Sequence, residues 1–397
     1  MLHEIRVQGH LDDRWADGPE DLKFTHEDDG TTTLRGPLVD QAALHGLLTR
    51  IRDLNVPIVS VRRASVDAER VTTMRAIVQE EYGAARTLHL REIDKPAIGD
   101  HNVLIRVHAA GVDRGVWHLM TGRPYLIRLF GYGLRRPKTR VRGTDVAGRV
   151  EAVGKQVTRF RPGDEVFGTS AGSFAEYASA AEGKLALKPA NLTFEQAASV
   201  PHGGLAALQG LRDAGKIQSG QKVLIVGASG GVGSFAVQLA RVFGAEVTGV
   251  CSGAKVDLVR SIGADHIIDY TREDFADRPE RYDLILDIGG SRPLSHLRRA
   301  LTPEGTLVLA GGEDDGRWIG GTVQKEIRAA LLSPFTRQKL RPLLSLPRQE
   351  DLQMLNHLLE AGKITPVIDR TYSLAEVPDA IRYLEAGRAR GKVVISL

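Results

Sequence analysis

Seven consecutive residues, Gly227, Ala228, Ser229, Gly230, Gly231, Val232 and Gly233, combine small side chains with a glycine at every third position. That spacing permits a turn too tight for larger side chains and lets the backbone come close to a bound group. The four apolar residues before it, Val223 to Val226, suit a short buried strand. After it, Phe235, Val237, Leu239 and Ala240 suit a helix packed on a sheet. The first turn of such a helix has unpaired N–H groups and the positive end of the dipole, so a pyrophosphate can sit there. A second strand at Glu246–Cys251 follows, the context that a relaxed dinucleotide fingerprint requires. The chemistry read from these residues is dinucleotide binding.

The end of that second strand decides which dinucleotide. An NAD site usually places Asp or Glu there to bond the ribose 2′-hydroxyl. The run Val250-Cys-Ser252-Gly-Ala-Lys255 has no acid. Ser252 can hydrogen-bond a 2′-phosphate and Lys255 can pair with it, which predicts NADPH over NADH. The plainer reading of Lys255 is a solvated lysine in the first turn of a helix. Cys251 is the single cysteine, which excludes an intrachain disulfide and a cysteine-cluster zinc site.

These elements need a scaffold, and 397 residues are enough for two or three domains. The 42% apolar and 26% charged composition is that of an ordinary soluble protein. No apolar run approaches the ~20 residues of a membrane span. A net charge of +4 is small for this length and does not suggest nucleic acid. The basic residues between Arg123 and Arg142 are interrupted by no acid, which reads either as a rim for an anionic partner or, more plainly, as a solvated loop. The N-terminus has no basic region followed by an apolar core, and with one cysteine this points to the cytoplasm.

Residues 1–72 read as a separate small α+β domain that ends in the polar stretch Ala64 to Arg70. Strands are expected at Glu4–Val7, Leu22–Thr25, Thr32–Leu34 and Val56–Val61, with a turn at Asp28–Gly30. Asp40 is expected to cap a helix that places Leu44, Leu47, Leu48 and Ile51 on one face. The role of this domain is unassigned; pairing of two subunits into a homodimer is the plainest expectation. Residues 74–198 give short strands and turns. Residues 199–335 alternate strands and helices, which predicts a doubly wound parallel sheet with five clear strands and a weak sixth near Trp318. The tail, 336–397, has two helices and the strand Lys392–Leu397, and is expected to complete the earlier β domain.

Four motifs in order carry a resemblance: Gly143-x-Asp-x-x-Gly-x-Val150, Pro162-Gly-Asp-x-Val166, Pro201-x-x-Gly-Leu205 and the glycine turn. They resemble the medium-chain dehydrogenase/reductase superfamily. With Val250-Cys-Ser252 and Gly263-Ala-Asp-x-x-Ile-Asp-Tyr270, the chain is most similar to the zinc-free quinone oxidoreductase branch. The resemblance covers Met74 to Leu397 and implies a Rossmann domain beside a GroES-like β domain. It places Tyr270 near the adenosine phosphate. It also places Ile288, Gly289, Ala310 and Gly311, with Asp287 and Gly312 beside them, against the nicotinamide.

The zinc branch has a cysteine after the Ala-Gly-Val turn, where this chain has Asp113, and a Gly-His-Glu motif, where it has Gly143-Thr144-Asp145. A catalytic zinc needs three protein ligands, so no metal is expected. Substrates that accept hydride readily then follow: a small electrophile, either a quinone or an α,β-unsaturated carbonyl. Tyr125 is the candidate proton donor, one position beyond the family's tyrosine, with Arg123 or Tyr132 as substitutes. His202 lies in the nicotinamide-flanking stretch, where Ala206 replaces the usual threonine. The alternatives are a carbonyl reductase for ketones or aldehydes and a catalytically weak NADPH-binding sensor or scaffold.

Overall fold

The computed structural model describes residues 2–9, 23–27, 29–37, 41–63, 73–125, 128–311 and 321–397. The chain divides into two compact units, Met1–Thr72 and Thr73–Leu397. In the first, β1 (Leu2–Gln8), β2 (Lys23–His26), β3 (Thr31–Pro37) and β4 (Ile58–Arg63) form a sheet in the order β2-β3-β1-β4. Its helix α1 (Gln41–Asp53) buries Leu47 and Ile51, four residues apart, in one core with Ile5, Val7 and Leu34. The expected cap Asp40, together with Leu22 and Asp28, lies outside the described residues.

The second unit opens with the hairpin β5 (Thr73–Val78) and β6 (His89–Asp94). The long strand β7 (Asn102–Val112) follows, then α2 (Arg114–Thr121), β8 (Asp145–Val153), β9 (Glu165–Thr169), β10 (Tyr177–Ala181) and β11 (Leu185–Leu187). The strands pair around β7 in an antiparallel sheet. The chain leaves this sheet through α3 (Phe194–Ala198), which starts at a reciprocal Thr193–Gln196 capping box, and α4 (Pro201–Gln209), which starts on proline.

The nucleotide-type sheet then forms from β12 (Lys222–Val226), α5 (Gly233–Val242), β13 (Glu246–Cys251), α6 (Val256–Ser261), β14 (His266–Asp269), β15 (Tyr282–Asp287), α7 (Leu294–Arg299), β16 (Leu301–Leu309), α8 (Gly321–Leu332) and β17 (Lys339–Pro342). Its six strands run parallel in the order β14-β13-β12-β15-β16-β17. Val223 to Ile225 and Leu284 to Leu286 are buried without alternation, as expected for strands covered on both faces. On one face Phe235, Leu239, Leu205 and Leu208 share a core with Leu352, Leu355 and Leu359 of α9 (Gln349–Glu360).

Among the described residues the sixth strand of the parallel sheet is β17; the segment near Trp318 lies outside them. Lys339–Pro342 gives no signal in the sequence because it has one buried apolar residue, Leu340, and ends on proline, tolerated only at a sheet edge. The antiparallel sheet is therefore rejoined at β18 (Ile368–Ser373) rather than near residue 336; α10 (Val377–Glu385) and β19 (Lys392–Ser396) follow, and β19 pairs with β7.

Phe235 is fully buried in the core that joins α4, α5 and α9. Phe235→Ala is expected to cost about 3–5 kcal/mol in urea unfolding; a loss below about 1 kcal/mol would contradict this packing.

Candidate nucleotide-binding and active site

The glycine turn is built by close backbone contact. Gly227 has φ +89°, in the left-handed region that favours glycine. A Cβ on Gly233 would sit 2.1 Å from the Gly227 carbonyl oxygen, so only glycine lets α5 start against the turn. The Gly227 and Ala228 amides both donate to the Val250 carbonyl at 3.1 Å, tying the end of β12 to that of β13. Gly289 N–H donates to the Val226 carbonyl at 3.2 Å, which ties in the segment after β15.

These ends open on a cleft of about 540 Å³. From the sheet side Gly227, Ser229, Gly230, Gly231 and Val232 line it, with Ser252 and Lys255 after β13 and Tyr270 after β14. Ile288, Gly289, Ala310 and Gly311 line it beyond β15 and β16. Two members of the turn stand behind the surface: Ala228 is fully buried, and Gly233 is packed under the turn. Gly312 lies outside the described residues. Glycines where a side chain would intrude, a helix start and small residues at three strand ends fit a nicotinamide dinucleotide. Lys255 differs from the sequence reading in one respect. Its ammonium donates to the Gly387 and Ala389 carbonyls at 3.3 and 2.8 Å. It also borders a second, basic pocket with Arg370, Arg388 and Arg390.

The antiparallel sheet supplies the opposite wall. Asp113 caps α2, its Oδ1 accepting the Val116 N–H at 3.0 Å and its Oδ2 the Thr144 hydroxyl at 3.3 Å. Asp145, with its side chain fully buried, receives the His202 backbone N–H at 3.2 Å and the Lys392 ammonium at 3.2 Å. Burial pushes the Asp145 carboxyl above its ordinary range, and the negative charge of Asp113 adds to this. Burial also raises Asp113, but His202, Lys392 and the two hydrogen bonds outweigh it and hold that carboxyl low. His118 lines the same wall; burial pushes its imidazole down, against its bond to the Arg123 carbonyl at 2.9 Å. Burial holds the Cys251 thiol up at about 11, so it remains a neutral wall residue.

Ligand atoms of Asp113, Asp145 and His202 lie within 4.8 Å of one another. They do not fit a zinc ion. Each Asp113 oxygen already accepts a hydrogen bond, and the Lys392 ammonium stands on Asp145, where a divalent cation would face it. Thr144, the remaining neighbour, is not a zinc ligand type.

The structure does not bring Tyr125 to the cleft. Among the described residues Tyr125 does not line it; the Arg128 guanidinium covers its ring at 4.5 Å and the Tyr82 ring at 4.3 Å. Tyr132 is exposed, its carbonyl accepting the Tyr82 hydroxyl. The sequence reading missed His118 and the Asp145–Lys392 pair, whose members are 247 positions apart. It also missed Lys325, which donates to buried Asp287 at 2.9 Å and to the Gly290 carbonyl at 2.7 Å, fixing the backbone beside Gly289.

Comparisons with known proteins agree with this architecture. Residues 99–190 match the alcohol dehydrogenase GroES-like domain, 262–395 the zinc-binding dehydrogenase family, and 2–62 a domain of unknown function, DUF8691. A 2-methylene-furan-3-one reductase of Solanum lycopersicum is 36% identical over 81% of this chain and 79% of its own length. The mitochondrial NAD(P)H oxidoreductase RTN4IP1 of Mus musculus is 33% identical over 86% of this chain and 94% of its own. The quinone oxidoreductase structure from Coxiella burnetii superposes with a TM-score of 0.72 at 28% identity, covering 82% of this chain and 99% of that one. A Rossmann sheet, a GroES-like domain and relatives of this identity and coverage place the chain in the medium-chain dehydrogenase/reductase superfamily, within its zinc-free quinone oxidoreductase branch.

Proposed function

We propose that this chain is an NADPH-dependent reductase of quinones or α,β-unsaturated carbonyls that works without a metal. The observation that carries the reading is the cleft itself. It joins a dinucleotide turn to a wall whose acidic groups are occupied by hydrogen bonds and an ammonium. The nicotinamide, when bound, supplies the hydride. The protein's own contribution is to hold the ring at Ile288, Gly289, Ala310 and Gly311 and to exclude water with apolar walls. A zinc ion would polarise a simple ketone, whereas a quinone or enone is already electrophilic. Relatives named as furanone, alkenal/one and quinone reductases support this class.

NADPH rather than NADH is the cofactor in this reading. Ser252 and Lys255 after β13 and Tyr270 after β14 line the cleft with no carboxylate among them, and Arg388 and Arg390 of the adjoining pocket strengthen the positive field there. The sole cysteine fits a reducing compartment, for which the cytoplasm is the proposal. Pairing of two chains is proposed as the role of the N-terminal unit, and light scattering at the mass of a dimer is the expected result.

Absorbance of NADPH should fall with quinones and enones and stay flat with simple ketones and aldehydes; oxidation with ketones alone would favour a carbonyl reductase. Lys255→Ala should weaken NADPH binding by about 1–3 kcal/mol and leave NADH nearly unchanged. Equal losses for both cofactors would assign Lys255 to holding the Gly387–Ala389 loop instead. Elemental analysis should find no stoichiometric zinc, and about one zinc per chain would overturn the metal-free reading.

A further inference from the structure

The wall opposite the nicotinamide residues holds more charge than binding requires. Two buried carboxylates, Asp113 and Asp145, are matched by one buried ammonium, Lys392. His202 is the group beside them that faces the cleft: its residue is exposed, it lines the cavity, and a ring nitrogen lies within 4.8 Å of both carboxylates. Gly115 makes room for the ring. A Cβ there would stand 3.3 Å from His202 Cε1 and 2.8 Å from Asp113 Oδ1. The ring's base is fixed as well, because Asp145 accepts the His202 backbone N–H.

Building on the reductase reading above, we propose that His202 is the proton donor that completes enone reduction, with Asp113 and Asp145 as positioning residues that balance its imidazolium. With both carboxylates ionised, the cluster of Asp113, Asp145 and Lys392 has a net negative charge, and a protonated His202 neutralises it. The dipole at the start of α4 opposes a cation on His202. It acts through partial charges in one turn, whereas the two buried carboxylates beside His202 carry full charges. The low-held Asp113 carboxyl, attributed in part to His202, agrees with this pairing. His118 is the competing imidazole. Its ring is bonded to the Arg123 carbonyl and pushed toward neutrality by burial, which leaves it unsuited to give up a proton.

Hydride enters the enone β-carbon, the C=C π pair becomes the double bond between the α-carbon and the carbonyl carbon as the C=O π pair moves onto oxygen to give an enolate, and NADPH is left as NADP⁺. The His202 N–H proton then moves to the α-carbon as the C=O bond re-forms, and the neutral imidazole regains a proton from solvent at the cleft mouth. A quinone needs no such donor, because its hydroquinone anion is stabilised by the aromatic ring and takes a proton from water.

The test uses the full chain with NADPH, a quinone and an α-substituted enone in deuterated water, comparing wild type, His202→Ala and His202→Gln. Wild type should deuterate one face of the α-carbon; both variants should give mixed faces and slow enone turnover about 10²–10⁴-fold, far more than they slow quinone turnover. NADPH binding, read by fluorescence without substrate, should be unchanged, and added imidazole should restore part of the enone rate of His202→Ala. Retained single-face deuteration with a near-wild-type enone rate would overturn the proposal. Equal slowing of both substrates with weakened NADPH binding would also overturn it and show a structural role. A wild-type chain that reduces neither substrate would instead reject the reductase reading on which the proposal rests.

Discussion

The contact on which the active region depends is the buried pairing of Asp145 with Lys392. One carboxylate at the start of β8 receives the first turn of α4 through the His202 amide and the start of β19 through the Lys392 ammonium. The loop before β19 in turn bridges to Gly230 of the dinucleotide turn through Gly391. The antiparallel sheet, the linking helices and the Rossmann sheet therefore meet at one charge pair. Its side chains are 0% and 3% exposed, so neither charge has water as an alternative partner. Removing one partner of such a pair typically costs about 3–5 kcal/mol, mostly because the other charge is left buried alone. The pair is thus better understood as fixing geometry than as adding stability.

Beside it, function comes from what the chain leaves small. The turn from Gly227 to Gly233 admits no side chains at its closest approach, and Gly115 leaves a space that the His202 ring uses. Gly289 and Gly311 line the cleft without side chains that would intrude on it. Around these positions the buried charges are already paired, Asp113 with the Val116 N–H and Thr144, and Asp145 with Lys392. Such a cavity suits transfer of a hydride to an electrophile and leaves only one proton to be managed.

The local features were legible in the sequence and the distant ones were not. The glycine turn and its strand could be read because their signal is spacing within one short segment. The same holds for α1, whose apolar residues recur on one face, and for the absence of an acid between Val250 and Lys255. The strand β17 could not be read, since four residues ending in Pro342 give no period. The start of the returning β domain was misplaced for the same reason. Tyr125 was chosen by its position in a motif. In the structure Arg128 stacks on Tyr125 and Tyr82, and no local pattern encodes that contact. The pairing of Asp145 with Lys392 arises only when β19 returns beside β7.

A crystal structure of the NADP⁺ complex tests the central claim most directly. The pyrophosphate should lie against Gly230, Gly231 and Val232 at the start of α5. The nicotinamide should lie between Gly289 and Gly311 on one side and the Asp113–His202 wall on the other, with the Lys392 ammonium still on Asp145. A dinucleotide bound elsewhere, or a metal ion seated between Asp113 and His202 with Lys392 displaced, would contradict it.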